Sequence, residues 1–252
     1  MYQQMRFHIL TLFTEAFEGP FQHSMLGLAC RRGLISIQIT DIRSYTHDAH
    51  GTADDYQFGG GHGMVLKPEP VFEAVEDVLK RYPPEEQGTI PLVLLTPQGE
   101  TFNQKMVQEL ALAPALVLIC GHYAGEDERI RHPLATREVS MGDFVLTGGE
   151  LPAMVMVDAV ARLIPGVVGS QENVEEDSIT SGLLQHPLYT RPAEYRGLAV
   201  PEVLRSGHHA EIARWRRRES LRRTLERRPD LLEFADLTAE DLEFLRSLGY
   251  QR

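Results

Sequence analysis

The sequence predicts an α/β domain with a mainly parallel sheet, followed by a small all-helical C-terminal domain. In the first two-thirds of the chain, short apolar runs alternate with helix-like stretches, which is typical of such a sheet. Two of these runs, Ile90–Leu95 and Ala115–Cys120, are continuously apolar, as expected for central strands that are buried on both faces. From about Leu183 onwards, the patterning is helical.

The other elements of the first domain follow from local patterns. Phe7–Leu12 is predicted to be a strand, and Ile35–Ile39 alternates apolar with polar residues as a second strand. Between them, Ser24 is suited to cap a helix that Gly33 ends.

Further along, Pro68 suits the first turn of a helix, and Asn103 is expected to cap the helix between the two buried strands. A mostly apolar helix is predicted over Glu150–Ile164, because Pro165 cannot continue it.

The composition changes after residue 165. The segment 170–181 is polar and acidic without apolar periodicity, which indicates a linker or mobile loop. Beyond it, a long helix is expected over His208–Arg228, and Thr238 with Asp241 resembles a capping box that opens a last helix ended by Gly249. We therefore predict an α/β domain over residues 1–165, a flexible linker over 166–182 and a helical domain over 183–252.

The charge distribution points to one polyanion-binding segment. A formal net charge of −11 argues against a generally basic protein that coats nucleic acid. Residues 205–228, however, contain nine arginines and three glutamates, an excess of six positive charges. A polyanion is expected to bind there, and the alternative is a solvated helix with internal ion pairs such as Glu219 with Arg223.

The apolar runs and the cysteine content of the sequence predict a cytoplasmic protein that binds no membrane. No apolar run reaches the roughly 18 residues that span a bilayer, and the first twelve residues lack the apolar core of a signal peptide. Cys30 and Cys120 are too few for a disulfide framework or a thiolate zinc site, which favours a reducing compartment.

Three successive strand ends carry glycine-containing turns, Thr96–Gly99, Gly121–Gly125 and Met141–Pro152. Ligands of open α/β sheets bind beyond the carboxyl ends of the strands, where glycines let the backbone approach closely. The sequence lacks G-x-G-x-x-G, G-x-x-x-x-G-K-[ST], G-x-S-x-G and H-E-x-x-H motifs, and its histidines lack metal-ligand spacing. We expect a small-molecule pocket without redox, triphosphate or zinc chemistry.

A long polar segment, Thr46–Met64, is unsuited to a core. One interpretation is a surface Ω-loop. The other is a binding loop, in which Asp54 and Asp55 accept hydrogen bonds and the three glycines after Phe58 let the backbone pack against a flat ligand.

Taken together, these segments resemble the bacterial tRNA (guanine-N1)-methyltransferase family, which belongs to the knotted SPOUT class of S-adenosylmethionine-dependent methyltransferases. The resemblance runs in one order over nearly the whole chain. The motifs are T-H-D-x-H at Thr46, D-D-x-x-[YF]-G-G-G-x-G-M ending at Met64, P-Q-G at Pro97, C-G-x-Y at Cys120, D-E-R at Asp127, G-D-[YF]-V-L-[ST]-G-G-E-L-P at Gly142, R-x-I-P-G-V at Arg162, E-D-S at Glu176 and H-x-x-Y-T-R-P at His186.

The resemblance implies a deep trefoil knot, formed by the chain around residues 90–150, in which the three strand-end turns hold bent S-adenosylmethionine. By motif match, the residues that would enclose this methyl donor are Thr96, Pro97, Gln98, Gly99, Gly121, Tyr123, Gly125, Met141, Gly142, Asp143, Phe144, Val145, Leu146, Gly148, Gly149 and Pro152.

The resemblance also implies two catalytic residues. N1 of guanine carries a proton at neutral pH, so a base must remove it while negative charge spreads onto O6. By motif match, Asp177 is the general base, and Arg162 stabilises O6 or orients the guanine. Without the resemblance, Asp177 would be a solvated linker acid and Arg162 an ion-pair partner of Asp158 on its own helix.

The implied substrate is guanosine 37 of tRNA, just 3′ of the anticodon and preceded by G, and the implied assembly is a homodimer with its active site between subunits. Mg²⁺ dependence is also implied, although no all-protein metal cage is visible in the sequence. The predicted substrate-binding residues are Asp54, Asp55, Gly59, Gly60, Gly61, Arg214, Arg217 and Arg223.

Two positions depart from the family pattern. Ala124 stands where many relatives have a glutamate associated with binding of the target guanine, and Glu126 is the candidate to replace it. Phe58 stands where tyrosine is usual, which removes a hydroxyl and keeps a flat ring. Two alternatives stay open: another knotted RNA methyltransferase that acts on ribose or a different base, and a non-catalytic protein that binds S-adenosylmethionine and RNA.

Overall fold

The computed structural model describes residues 4–169 and 177–251. The chain divides into two compact units, Met1–Gly169 and Ser170–Arg252. This division falls inside the predicted linker of residues 166–182, of which residues 170–176 lie outside the described part.

The first unit is built on a five-stranded sheet in which all pairs are parallel, which confirms the predicted mainly parallel sheet. Its strands are β1 (Met5–Thr11), β2 (Ile35–Asp41), β5 (Leu92–Thr101), β6 (Ala115–Cys120) and β7 (Arg137–Ser140), in the order β2-β1-β6-β5-β7. Two short strands, β3 (Asp54–Tyr56) and β4 (Met64–Leu66), form a separate antiparallel hairpin.

Central strand β6 is buried on both faces, as its continuous apolar sequence predicts. Leu116 and Leu118 pack into one apolar core, whereas Val117 and Ile119 pack into another. The first core includes apolar residues of α4 (Gln104–Leu110) and α5 (Glu150–Ala161), and the second includes those of α2 (Pro68–Leu79). Helices therefore cover both faces of the sheet. The remaining helices of this unit are α1 (Ser24–Arg31) and the short α3 (Pro84–Gln87).

The helix ends predicted from the sequence are confirmed in part. The Asn103 side chain accepts a hydrogen bond from the Met106 backbone N–H at 3.0 Å, which confirms its predicted capping role. The prediction that Ser24 caps α1 is wrong, because the first helical N–H bond goes to the carbonyl of His23, and Ser24 is already the first helical residue. Helix α5 ends at Ala161, three residues before its predicted end at Ile164, because the backbone tightens there into three-residue turns.

The second unit is not all-helical, which corrects the prediction. It contains α6 (His209–Arg227) and α7 (Ala239–Ser247), but also a hairpin of β8 (Glu194–Tyr195) and β9 (Leu198–Ala199). Arg196 and Gly197 connect these strands with φ values of 52° and 78°, which suits a tight hairpin turn. The sequence could not reveal this hairpin, because a strand of two residues is too short to show an alternation of apolar and polar residues. Within the described residues, no helix combines the length and apolarity needed to cross a bilayer.

An ion pair between the half-exposed Arg217 and the buried Asp241 joins the two helices of the second unit. The Asp241 carboxylate accepts hydrogen bonds from the Arg217 guanidinium at 2.8 Å and from the Thr238 backbone N–H at 2.9 Å. The Thr238 hydroxyl accepts the Asp241 N–H in return, which confirms the predicted capping box. Arg217 therefore fixes α6 to the start of α7, beside a core of four buried leucines.

A buried histidine on β1 makes the first unit sensitive to acid. His8 is 2% exposed, and its Nε2 lies 2.6 Å from the Tyr82 hydroxyl. Burial, together with the nearby Arg81 and Arg6, lowers the pKa of His8 from 6.5 to about 4. The folded state thus favours the neutral ring, so the resulting stability is complete above pH 6.5 and is lost as the pH falls towards about 4.

We expect His8→Gln, which cannot titrate, to remove this loss. Between about pH 7 and about pH 4.5, the wild type should lose on the order of 2 kcal/mol more unfolding free energy than the variant, as measured by urea denaturation. His47→Gln is the control, because Glu73 raises the pKa of the exposed His47 and gives the opposite sign. If the unfolding free energies of the wild type and His8→Gln changed equally with pH, His8 would not be the source of the acid sensitivity.

Candidate functional site

A cleft of about 320 Å³ lies beyond the carboxyl ends of β5, β6 and β7. All three segments singled out by the sequence contribute to its wall. Thr96–Gly99, however, is an irregular stretch within β5 and not a turn after it, because pairing with β7 resumes at Glu100 and Thr101 after a shift in register. The predicted donor-binding residues that line it are Thr96, Pro97, Gln98, Gly121, Tyr123, Gly125, Met141, Phe144, Val145, Leu146, Gly148 and Pro152. Parallel strands that end at one sheet edge explain why turns so far apart in sequence share one cavity.

Four other predicted donor-binding residues, Gly99, Gly142, Asp143 and Gly149, do not line the cleft. Two of them are glycines for steric reasons. A Cβ at Gly99 would lie 2.3 Å from the backbone nitrogen of Val139, and one at Gly149 would lie 2.6 Å from the Cα of Cys120. These glycines let the backbone segments that carry the turns pass one another closely.

The cleft has an apolar and a polar side. Phe144, Val145 and Leu146 expose 56%, 82% and 40% of their surface in the turn after β7, which offers an apolar wall to a ligand. In the turn after β6, Tyr123 adopts a φ of 63°, and its hydroxyl accepts a hydrogen bond from Arg43 at 3.2 Å. A flat, partly apolar ligand fits such a lining.

A buried charge network also lines the cleft, and the sequence did not reveal it. Glu126 and Arg131, whose side chains are 5% and 10% exposed, form an ion pair at 2.6 Å. Arg131 also pairs with Glu128 at 3.3 Å and with Glu138 on β7. Burial raises the pKa of Glu126, and the Arg131 guanidinium opposes that shift. Glu128 and Arg131 have a helical i, i+3 spacing, but Glu126 and Glu138 do not, so the pairing of Arg131 with these two residues depends on the tertiary fold.

The hairpin β3–β4 is hydrogen-bonded to the turn after β6. The Leu66 N–H donates to the Gly125 carbonyl at 3.0 Å, and the Ala124 N–H donates to the Met64 carbonyl at 3.0 Å. Gln57 and Val65 reach the cleft wall. The polar loop predicted to bind substrate is therefore attached to the donor-side turn.

Of the predicted substrate residues in this hairpin, Asp54 is half-buried and Asp55 is exposed on β3. Gly59, Gly60 and Gly61 are exposed with φ values of 86°, 78° and 140°. None of these five residues lines the cleft itself.

The two predicted catalytic residues lie in different units. Arg162 is exposed at the C-terminal end of α5 in the first unit, and Asp177 is half-buried in the second. Glu176, which completes the E-D-S motif, lies outside the described residues. Their joint action on one base stays a prediction.

The arginine-rich helix α6 divides its side chains between internal contacts and solvent. Arg217 is committed to Asp241, and Arg223 donates to the Gln185 carbonyl at 3.0 Å. Arg214 and Arg218 are 61% and 48% exposed, with Glu240 at long distances of 3.8 and 3.5 Å. Arg216 is exposed and makes no ion pair within the part of the chain that the structure describes. The arginines with exposed side chains on α6 therefore include Arg214, Arg216 and Arg218, whereas the sequence predicted that Arg214, Arg217 and Arg223 bind the substrate.

Comparison with known proteins identifies the family. The family model described as tRNA (Guanine-1)-methyltransferase TrmD matches residues 5–234. Proteins named tRNA (guanine-N(1)-)-methyltransferase are similar along their whole length. The one from Dehalococcoides mccartyi (strain CBDB1) is 55% identical over 94% of each chain, and the one from Moorella thermoacetica is 53% identical over 97% of each. The one from Halalkalibacterium halodurans is 52% identical over 98% of this chain and 99% of its own. With its strand-end cleft built from the family's motifs, this chain belongs to the tRNA (guanine-N1)-methyltransferase family.

Proposed function

We propose that this protein transfers a methyl group from S-adenosylmethionine to N1 of guanosine 37 in tRNA. The observation that carries the proposal is the full-length similarity to relatives of that name, together with a cleft lined by the turns that hold the family motifs. In the chemistry proposed, the methyl carbon leaves sulfur for N1, and the N1 proton passes to a protein base.

The lining of the cleft fits S-adenosylmethionine. The apolar wall of Phe144, Val145 and Leu146 suits the adenine, and the buried Glu126 suits a cationic ligand. When bound, the donor supplies a methyl group on a positively charged sulfur. The turns at Gly121 and Gly148 would hold it with backbone groups, because glycine has no side chain to block the approach of a ligand.

We assign the proton transfer to the two residues that the family motifs mark. Asp177 removes the N1 proton, which places a lone pair in the plane of the ring. Arg162 stabilises the negative charge that develops on O6, because its guanidinium stays charged and offers several donors. Transfer then depends mainly on the in-line positioning of N1 and the methyl group.

A homodimer would bring these residues together across a subunit interface. The exposed apolar side chains Leu151 and Val155 on α5, at 60% and 52%, support such an interface on the first unit. We also propose the trefoil knot, supported by the close backbone crossings at Gly99 and Gly149. Two unpaired cysteines, Cys30 and Cys120, are consistent with the cytoplasmic location we infer.

Mg²⁺ has no donor set in the described protein. Residues 4–169 and 177–251 contain no group of three or more histidine, cysteine, aspartate or glutamate side chains placed to hold an ion. The proposed mechanism therefore includes no step that uses Mg²⁺.

We propose that tRNA phosphates contact the exposed face of α6. Arg214, Arg216 and Arg218 supply the positive charge, because their side chains are exposed and at most weakly paired. Arg217 and Arg223 instead support the fold of this unit.

The decisive test of the activity is incubation of the purified protein with labelled S-adenosylmethionine and unmodified tRNA, followed by nucleoside mass analysis. The expected product is 1-methylguanosine, formed on a transcript with guanosines at positions 36 and 37 and absent when position 37 is adenosine. A ribose-methylated or differently methylated base would favour another knotted RNA methyltransferase. Donor binding without any methylated product would favour a non-catalytic RNA-binding protein.

Asp177→Asn should lower kcat by about 10²- to 10⁴-fold, because the variant keeps the shape of the side chain and loses the base. Donor affinity, measured by calorimetry, should stay within about twofold of the wild type. Asp230→Asn is the matched control, since it neutralises an exposed aspartate of the same unit that pairs with Arg228. Normal turnover by Asp177→Asn would exclude Asp177 as the base.

Arg216→Gln should weaken tRNA binding by roughly three- to tenfold at low salt and reduce the salt slope of the affinity by about one. Filter binding over a range of salt concentrations measures both quantities. Arg217→Gln should differ by also lowering the melting temperature, because it breaks the pair with Asp241. If Arg216→Gln reduced donor affinity as much as tRNA affinity, α6 would not be a phosphate-binding surface.

A further inference from the structure

Glu126 is a buried carboxylate in the cleft wall that takes no part in the proposed proton transfer. Its side chain is 5% exposed, and its partner Arg131 is 10% exposed. Burying a charged pair costs free energy unless the pair is well satisfied. The position of the pair in the wall of the ligand cleft points to a role towards the ligand.

The charges around this pair do not cancel. Arg131 contacts three carboxylates, those of Glu126, Glu128 and Glu138. Among the described residues that line the cleft, Arg131 is the only arginine or lysine. Two of these carboxylates, Glu126 and Glu128, line the cleft with Arg131, whereas Glu138 does not, so this part of the wall carries one excess negative charge.

The orientation of the Glu126 carboxylate is fixed by its neighbours. Its Oε1 accepts a hydrogen bond from Arg131 at 2.6 Å. Its Oε2 lies 3.1 Å from the point where a Cβ at Gly121 would sit. The carboxylate is therefore held against the first residue of the turn that follows β6.

We propose that Glu126, positioned by Arg131, lets the cleft distinguish S-adenosylmethionine from S-adenosylhomocysteine by charge. This inference rests on the proposed function. The two molecules differ by a methyl group and one positive charge on sulfur, so a buried negative charge stabilises the first and not the second. Because a fixed carboxylate inside the protein is poorly screened by solvent, its effect exceeds that of a surface acid.

Such discrimination bears on turnover. Once the methyl group has left, sulfur is neutral, and the attraction of Glu126 for it is lost. The spent donor is then held less firmly than the fresh one, so product departs and donor replaces it. No other residue in the proposed mechanism supplies this preference.

The test is calorimetric binding of both ligands to Glu126→Gln and to the wild type at about pH 8. We expect the variant to lower the preference for S-adenosylmethionine over S-adenosylhomocysteine by about tenfold, almost entirely by weakening the cationic ligand. A donor analogue with a protonated amine in place of the sulfonium should lose affinity in parallel with S-adenosylmethionine.

Three variants serve as controls. Glu126→Asp keeps the charge and should retain most of the preference. Glu109→Gln neutralises a carboxylate that pairs with Arg137 outside the cleft and should leave the preference unchanged. Glu128→Gln neutralises the exposed carboxylate that pairs with Arg131 and leaves the buried Glu126–Arg131 pair in place. It should lower the preference about twofold.

If Glu126→Gln weakened the binding of S-adenosylmethionine and S-adenosylhomocysteine equally, the ratio of their affinities would be unchanged. The Glu126–Arg131 pair would then only support the fold, and the inference would be overturned. If Glu126→Gln does not fold, an unchanged ratio in Glu128→Gln would do the same. Failure of the wild type to bind either ligand would instead overturn the proposed function, and the inference with it.

Discussion

The site depends on two places where backbone passes backbone with no room for a side chain. At Gly99, the chain after the buried part of β5 lies against β7, and at Gly149, the start of α5 lies against the end of β6. A Cβ at either position would overlap main-chain atoms, which cannot move aside as a flexible side chain can. These crossings bring three turns to one cavity, so residues that touch no ligand determine where the ligand-facing residues lie.

The parts of the fold that sequence could predict are those where one residue type has one physical role. The six apolar residues of β6 require burial on both faces, and Asn103 supplies the oxygen that a helix start needs. The hairpin β8–β9 could not be predicted, because two-residue strands have no period. The capping of α1 was mispredicted, because His23, in an extended conformation before the helix, provides the first carbonyl.

For the cleft, the glycine turns were predictable and the charges were not. Glycines at successive strand ends indicate close backbone approach, and the motifs assigned those turns to a methyl donor. Arg131 and its carboxylates lie on segments whose packing only the tertiary fold defines. Likewise, the sequence showed that α6 is rich in arginine, but it could not separate Arg217, which binds Asp241, from Arg216, which faces solvent.

The hairpin β3–β4 shares backbone hydrogen bonds with the turn that follows β6. The hairpin and the cleft wall are thereby parts of one hydrogen-bonded unit. A ligand that displaced the turn after β6 would strain these bonds and act on the hairpin as well. The hydrogen bonds thus give the hairpin a direct mechanical link to the cleft within the first unit.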